Sequence, residues 1–161
     1  MAKAKQNNAP LWRGIFLVYL GVMLWLLFGR GRGWDHSLSY QEILKARINL
    51  KPFYTVGNYL SVVLHMPNSP YFRQCIIELT GNLLLFIPAG WLLPRIFQKM
   101  RRFFPFLLTT LCTVFLIEAI QLFTLLGTFD VDDVILNMTG ILIGFICFTV
   151  LTKHRKNINR K

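Results

Sequence analysis

"FLLTTLCTVFLIEAIQLFTLLGTFDVDDVILNMTGILIGFICFTVL", Phe106 to Leu151, decides the fold. It contains two apolar runs, Phe106 to Leu126 and Val134 to Leu151, parted by the polar stretch Gly127 to Asp133. Each run has close to the ~20 residues that a helix needs to cross the hydrocarbon core of a bilayer. Working outward, two further runs of that length appear at Leu11 to Phe28 and Ile76 to Leu93, the latter interrupted by Glu78, Asn82 and Pro88. The 161-residue chain is 54% hydrophobic and only 16% charged, so a water-soluble domain could not cover its apolar surface. The expected fold is therefore an all-α integral membrane protein, one domain over residues 1–161, with four transmembrane helices at about 11–28, 76–93, 106–126 and 134–151.

The first run is preceded by Lys3, Lys5 and Arg13, as a signal peptide would be. It is long for such a segment, Arg30 and Arg32 follow at once, and no small-residue cleavage site appears, so it reads as a retained helix. Cys112 and Cys147 lie inside apolar runs and Cys75 at the edge of one, which makes packing their expected role. The net charge of +11 raises the question of nucleic acid. The basic residues flank hydrophobic spans instead, the placement of a membrane topology signal, and no nucleic-acid partner is expected.

Four spans put both termini and the second connection on one side. That side holds twelve of the eighteen Lys and Arg residues, in three clusters around Arg13, Arg102 and Arg155, and no acid. The positive-inside rule assigns it to the cytoplasm. The first loop, Gly29 to Cys75, and the aspartate loop then face outward from a bacterial plasma membrane. In the first loop, Ser39 and Glu42 have the spacing of a capping box that starts a short helix to about Ile48. Tyr54 to Met66 is too short to span, but apolar enough to lie in the interface as a short amphipathic helix. His36 and His65 have no partners at metal-ligand spacing, and no metal or cofactor is expected.

A charge near mid-bilayer costs on the order of 3 kcal/mol, so Glu118 requires a reason. At 1.5 Å rise per residue, Glu118 lies roughly 13 Å below the outer end of its helix and Gln121 roughly 9 Å. By the same measure Asn137 lies about 10 Å down the fourth helix and Asn82 about 9 Å down the second, with Glu78 near the rim. Three helices thus bring polar groups to one depth in the outer half. Faces agree with depth: Glu118 and Gln121 share one, as do Glu78 and Asn82. Asp130, Asp133, Asn137, Gly140 and Gly144 step by three and four along a single stripe. The lower part of that stripe is a small-xxx-small packing face, which also offers itself to a second copy of the chain. Asp132 falls off the stripe and reads most simply as a solvated or capping acid. Glu118 has a plainer reading too, as interhelical glue bonded to Gln121 or Asn137. Pro88 removes a hydrogen bond from the Leu84 carbonyl, so the second helix is expected to kink or open between Phe86 and Gly90.

With these residues in hand, the chain resembles the VanZ-like family of small bacterial membrane proteins. The matching blocks are "NLKPF" (Asn49 to Phe53), "NLLLFIPAG" (Asn82 to Gly90), "EAIQ" (Glu118 to Gln121) and "GTFDVDDVILNMTGILIG" (Gly127 to Gly144). The resemblance implies a four-helix membrane protein and a role in resistance to teicoplanin, a lipid-tailed glycopeptide antibiotic. Carried over position by position, its polar residues fall on Asn82, Glu118, Gln121, Asp130, Asp133 and Asn137, which are the expected ligand-binding residues. Pro88, Gly90, Gly140 and Gly144 are expected to be structural.

Three functions compete at this point. The leading one is a binding protein whose outer polar pocket engages a lipid-anchored ligand, either the lipoglycopeptide or a lipid-linked wall precursor. The second is a membrane enzyme acting on a lipid or envelope precursor, with Glu118, Asp130 and Asp133 serving as acid and base or holding a cation. No nucleophile elbow or paired His and Cys supports it. The third is an ion-coupled carrier built on Glu118. Membrane lipids are partners in every case.

Overall fold

A helix that is apolar on all sides, rather than along one stripe, has no face suited to water. The computed structural model, which describes residues 9–29 and 38–158 apart from the side chains of 155–157, contains four such helices. In chain order its elements are α1 (Ala9–Phe28), α2 (Tyr40–Ala46), β1 (Ile48–Asn49), α3 (Tyr54–His65), α4 (Phe72–Ile96), α5 (Phe103–Phe123), β2 (Phe129–Asp130) and α6 (Val131–Ile158). A 3-10 turn, Gln98–Arg101, joins α4 to α5. By length and composition α1, α4, α5 and α6 are long and apolar enough to cross a membrane. Leu17, Val18 and Trp25 on α1, Leu108 and Leu116 on α5, and Ile146 and Val150 on α6 stand exposed. In water such a surface would drive aggregation, whereas hydrocarbon is its natural surrounding. Lys3, Lys5, Arg30, Arg32, His36, Arg160 and Lys161 lie outside the described residues, as do the side chains of Arg155 and Lys156.

The helices extend beyond or shift from their expected ends for local reasons. The third span stops at Phe123 rather than Leu126 because Leu125, buried, adopts a left-handed conformation with φ 57°. Pro88 does not open α4, which runs unbroken through both Pro88 and Pro94. Beside the turn that Pro88 disturbs, the Tyr19 hydroxyl donates to the Leu85 carbonyl at 2.8 Å. Cys75 is buried as expected, but Cys112 and Cys147 are exposed on the outside of the bundle and fill no core.

The tightest packing is between α4 and α6, and glycine permits it. A Cβ on Gly140 would strike the Leu83 carbonyl, one on Gly144 the Ile87 carbonyl, and one on Gly90 the Ile141 carbonyl. The contacts advance together along both helices, so α4 and α6 run parallel with their backbones in contact. The face offered to a second copy is thus occupied by α4 of the same chain. Phe106 and Phe145 stack at 4.3 Å and, with Val114, Ile117, Met138 and Ile141, fill the centre between α5 and α6. Helix α1 lies antiparallel to α4 and buries only Met23. Near its start the Trp12 ring meets Trp91 edge-on at 5.1 Å, and the Arg95 guanidinium lies over both rings at 3.9 and 4.6 Å.

Between the long helices the loop is ordered. Ser39 and Glu42 form the expected capping box of α2, with the Ser39 N–H donating to the Glu42 carboxylate at 2.8 Å. One feature departs from an all-helical chain: β1 pairs in parallel with β2, Ile48 opposite Phe129 and Asn49 opposite Asp130.

Two measurements check this packing. Gly144→Val is expected to lower the unfolding midpoint in detergent by an amount equivalent to at least about 1–3 kcal/mol, since backbone cannot yield to the new atoms. Gly21→Ala, where nothing lies within 4 Å of the added carbon, leaves the midpoint unchanged. The hydrogen bonds from the Ser39 hydroxyl and backbone N–H hold the Glu42 carboxyl below its ordinary 4.5. A depressed folded value means the cap is at full strength above the ordinary value and is lost as pH falls through the lowered one. Amide exchange at Ser39 should therefore accelerate only on acidification into that range.

Candidate functional site

The acids between α5 and α6 are divided by what the first loop brings to them. Asp130 precedes α6 and is buried. Its Oδ2 accepts from the Thr55 hydroxyl at 2.6 Å and the Asn49 amide at 3.1 Å, while Oδ1 accepts the Asp132 N–H at 2.8 Å. Asp132 is 1% exposed, so the expectation of a solvated acid is overturned. Its two oxygens accept the N–H groups of Phe53 at 2.5 Å and Val56 at 3.0 Å. Those are donors of the first turn of α3, whose own cap residue, Phe53, is left-handed (φ 62°) and gives no side-chain cap. Asp132 does cap a helix, but a helix from another part of the chain.

The loop returns the favour at the end of α5. The Arg47 guanidinium donates to the Leu125 carbonyl and, at 3.3 Å, to that of Gly127. The Tyr40 hydroxyl donates to the Phe123 carbonyl at 2.8 Å. A cation over the last carbonyls of a helix also complements its dipole.

Under this clamp lies a polar cavity of about 390 Å³. Helix α1 supplies Leu26 and Leu27, α4 supplies Glu78, Gly81, Asn82 and Leu85, and α5 supplies Glu118 and Gln121. Gly127, Thr128 and Asp133 close the loop end. The Asn82 amide donates to the Asp133 carboxylate, tying α4 to α6 above their glycine contacts. The Gln121 amide donates to the Leu27 carbonyl at 3.1 Å, tying α5 to α1. Glu118, 2% exposed, accepts the Asn137 amide at 3.2 Å through Oε1. Its Oε2 and the Asn137 Oδ1 are buried with no hydrogen-bond partner among the described residues. Such orphaned acceptors are rare in a folded interior. Among the described residues, no group of three His, Cys, Asp or Glu is placed to hold a metal ion.

The VanZ/LLP1 family model matches residues 16–152. The chain belongs to this family. It is also 29% identical over 150 residues to Protein VanZ of Enterococcus faecium, covering 92% of this chain and 81% of that protein. No solved structure matches it.

Of the six residues expected at the site, the structure brings Asn82, Glu118, Gln121 and Asp133 to one cavity. Asn137 lies behind Glu118 as its hydrogen-bonded support, the interhelical contact that the plainer reading named. Asp130 is not among the residues lining the cavity; its carboxylate is engaged by the loop. Glu78 is a lining residue that the expected set left out, although its depth near the rim pointed to it. The loop partners Arg47, Asn49 and Thr55 gave no signal of their role, beyond the place of Asn49 in the "NLKPF" block. Asp132→Asn replaces one acceptor oxygen with a donor facing the N–H groups of α3. It is expected to cost about 1–2 kcal/mol, the usual worth of a helix cap. Hydrogen exchange should accelerate at Phe53 and Val56 while the amides of α5 and α6 keep their protection.

Proposed function

We propose that this protein protects a bacterial envelope against lipid-tailed glycopeptides of the teicoplanin type, by engaging a lipid-anchored ligand at the polar cavity. Membership of the VanZ/LLP1 family and likeness to Protein VanZ support a resistance-related role. The observation that supports the site is the cavity itself: acids and amides from α4, α5 and α6 meet inside otherwise apolar segments. Polar groups at membrane depth are costly and are kept where they act on something. In this reading the clustered basic residues face the cytoplasm and the cavity opens toward the outer leaflet of the plasma membrane. A ligand's acyl tail lies along the exposed apolar helices while its polar head enters between Glu78 and Thr128. The ligand is the lipoglycopeptide or a lipid-linked wall precursor.

An enzymatic reading rests on Glu118 and Asp133 facing one cavity, the arrangement that acid and base catalysis needs. Asp130 drops out of that reading, because its carboxylate is engaged in the loop. Detection of a modified lipid that disappears in Asp133→Asn would favour it.

The test of the binding reading is growth inhibition in a susceptible Gram-positive host with and without the protein. The wild type should raise the inhibitory concentration of a lipid-tailed glycopeptide several-fold and leave that of an untailed one unchanged. Asp133→Leu, at wild-type protein level in the membrane, should abolish the difference. Equal protection against both antibiotics overturns the reading.

A further inference from the structure

Next to the polar cavity, on the same three helices, lies a second cavity of opposite character, with a volume of about 210 Å³. Its lining begins where that of the first ends. Leu85 and Phe86 are neighbours on α4, Glu118 and Ile117 on α5, and Leu26 and Met23 stand less than one turn apart on α1. The first of each pair lines the polar cavity and the second lines the new one. The two therefore meet end to end along one seam of α1, α4 and α5. From Phe16 to Met23 on α1, and from Thr109 to Ile117 on α5, the second cavity runs for roughly 10–12 Å. Met100, in the turn that joins α4 to α5, bounds its far end. Its α1 residues lie well inside both ends of that helix, Ala9 and Phe28.

The cavity's own polar groups are already used. The hydroxyls of Tyr19, Thr110 and Thr113 donate to the carbonyls of Leu85, Phe106 and Thr109, each at 2.8 Å. With their hydroxyls bonded to backbone, these threonines present methyl groups. Among the described residues that line it, none is charged. Phe86, Val114 and Ile141 form a buried back wall, whereas Thr109 and Thr113 are exposed, so the cavity opens sideways between α1 and α5. A polar group that entered would give up its hydrogen bonds without replacement. Hydrocarbon gives up nothing, and it restores the dispersion contacts that the walls of an unfilled space lack. An apolar cavity of about 150 Å³ already takes up benzene. A partner's helix, about 10 Å across with its side chains, is too broad. A single chain is not. Extended, it advances about 1.2 Å per bond, so roughly eight to ten carbons fill the length.

We propose that this cavity seats one short acyl chain, the tail of the amphiphile whose head lies in the polar cavity, entering sideways between α1 and α5. The inference deepens the binding reading above and rests on it for the head, while giving the tail one definite place on the bundle.

The probe is monodecanoylglycerol with a photoreactive diazirine at the end of its chain, added to the purified full chain in phosphatidylcholine nanodiscs. After irradiation the labelled positions are read by peptide mass spectrometry. Labelling should concentrate at Phe16, Met100 and Thr109, several-fold above Leu116 and Ile146 on the outer faces, and unlabelled monodecanoylglycerol should compete it away. Thr113→Trp, which fills the mouth, should cut the labelling of Phe16 and Met100 several-fold, and Leu116→Trp should leave it unchanged. If Thr113→Trp does not fold, Thr109→Trp at the same mouth takes its place. Even labelling of all apolar faces, or labelling that the mouth variant leaves intact, overturns the proposal. In the growth-inhibition assay the mouth variant, at wild-type level in the membrane, should lose most of the several-fold protection against a lipid-tailed glycopeptide. Full protection from a protein whose seat is blocked also overturns the proposal. A seat that labels and closes as expected, in a wild type that protects equally against tailed and untailed glycopeptides, sinks the resistance reading alone.

Discussion

The contact between the α4 and α6 backbones governs the rest of the molecule. Three glycines, at positions 90, 140 and 144, let carbonyls of one helix sit where side chains of the other would be. In a bilayer no hydrophobic force draws helices together, so close approach and dispersion have to do so. Once the two helices lie parallel in this register, Asn82 falls opposite Asp133 and the amide–carboxylate bond closes above the glycines. Helix α5 then packs through Phe106 on Phe145, which places Glu118 against Asn137. The polar cavity is a product of this register. A slip of one residue on either helix would rotate its polar side chain by about 100°.

Helix α1 stands in a different relation to the bundle. It buries one residue and is held by a few specific contacts: Tyr19 on the Leu85 carbonyl, Gln121 on the Leu27 carbonyl, and the Arg95 guanidinium between Trp12 and Trp91. It nevertheless provides one wall of the cavity through Leu26 and Leu27. The contrast between a rigid α4–α6 pair and a lightly attached α1 follows from side chains: glycines face one another in the first case, and bulky Leu, Val and Trp face outward in the second.

What the sequence revealed about this chain, and what it withheld, divides along one line. Length and composition marked the four spans, and a fixed rise per residue grouped Asn82, Glu118 and Gln121, which line one cavity. Those properties belong to a single helix and need no knowledge of its neighbours. The fates of Asp130 and Asp132 could not be read in this way. On a helical wheel Asp130 heads the polar stripe and Asp132 stands apart, yet Asp130 is held by Asn49 and Thr55 while Asp132 is the more deeply buried. Their partners come from a loop about 80 residues earlier, which no periodicity within α6 reports. The left-handed Leu125 that shortens α5, and the unbroken path of α4 through Pro88, depend in the same way on what packs beside them.

That dependence also fixes an order of events during synthesis. The first turn of α3 receives its cap from Asp132, a residue 79 positions beyond Phe53. At about 5–20 residues per second, a ribosome needs roughly 4 to 16 s to supply it. Until then the N–H groups of Phe53 and Val56 lack this cap. The first loop therefore cannot reach its final shape before Asp132 has been made, and a chain truncated before Asp132 cannot fasten it.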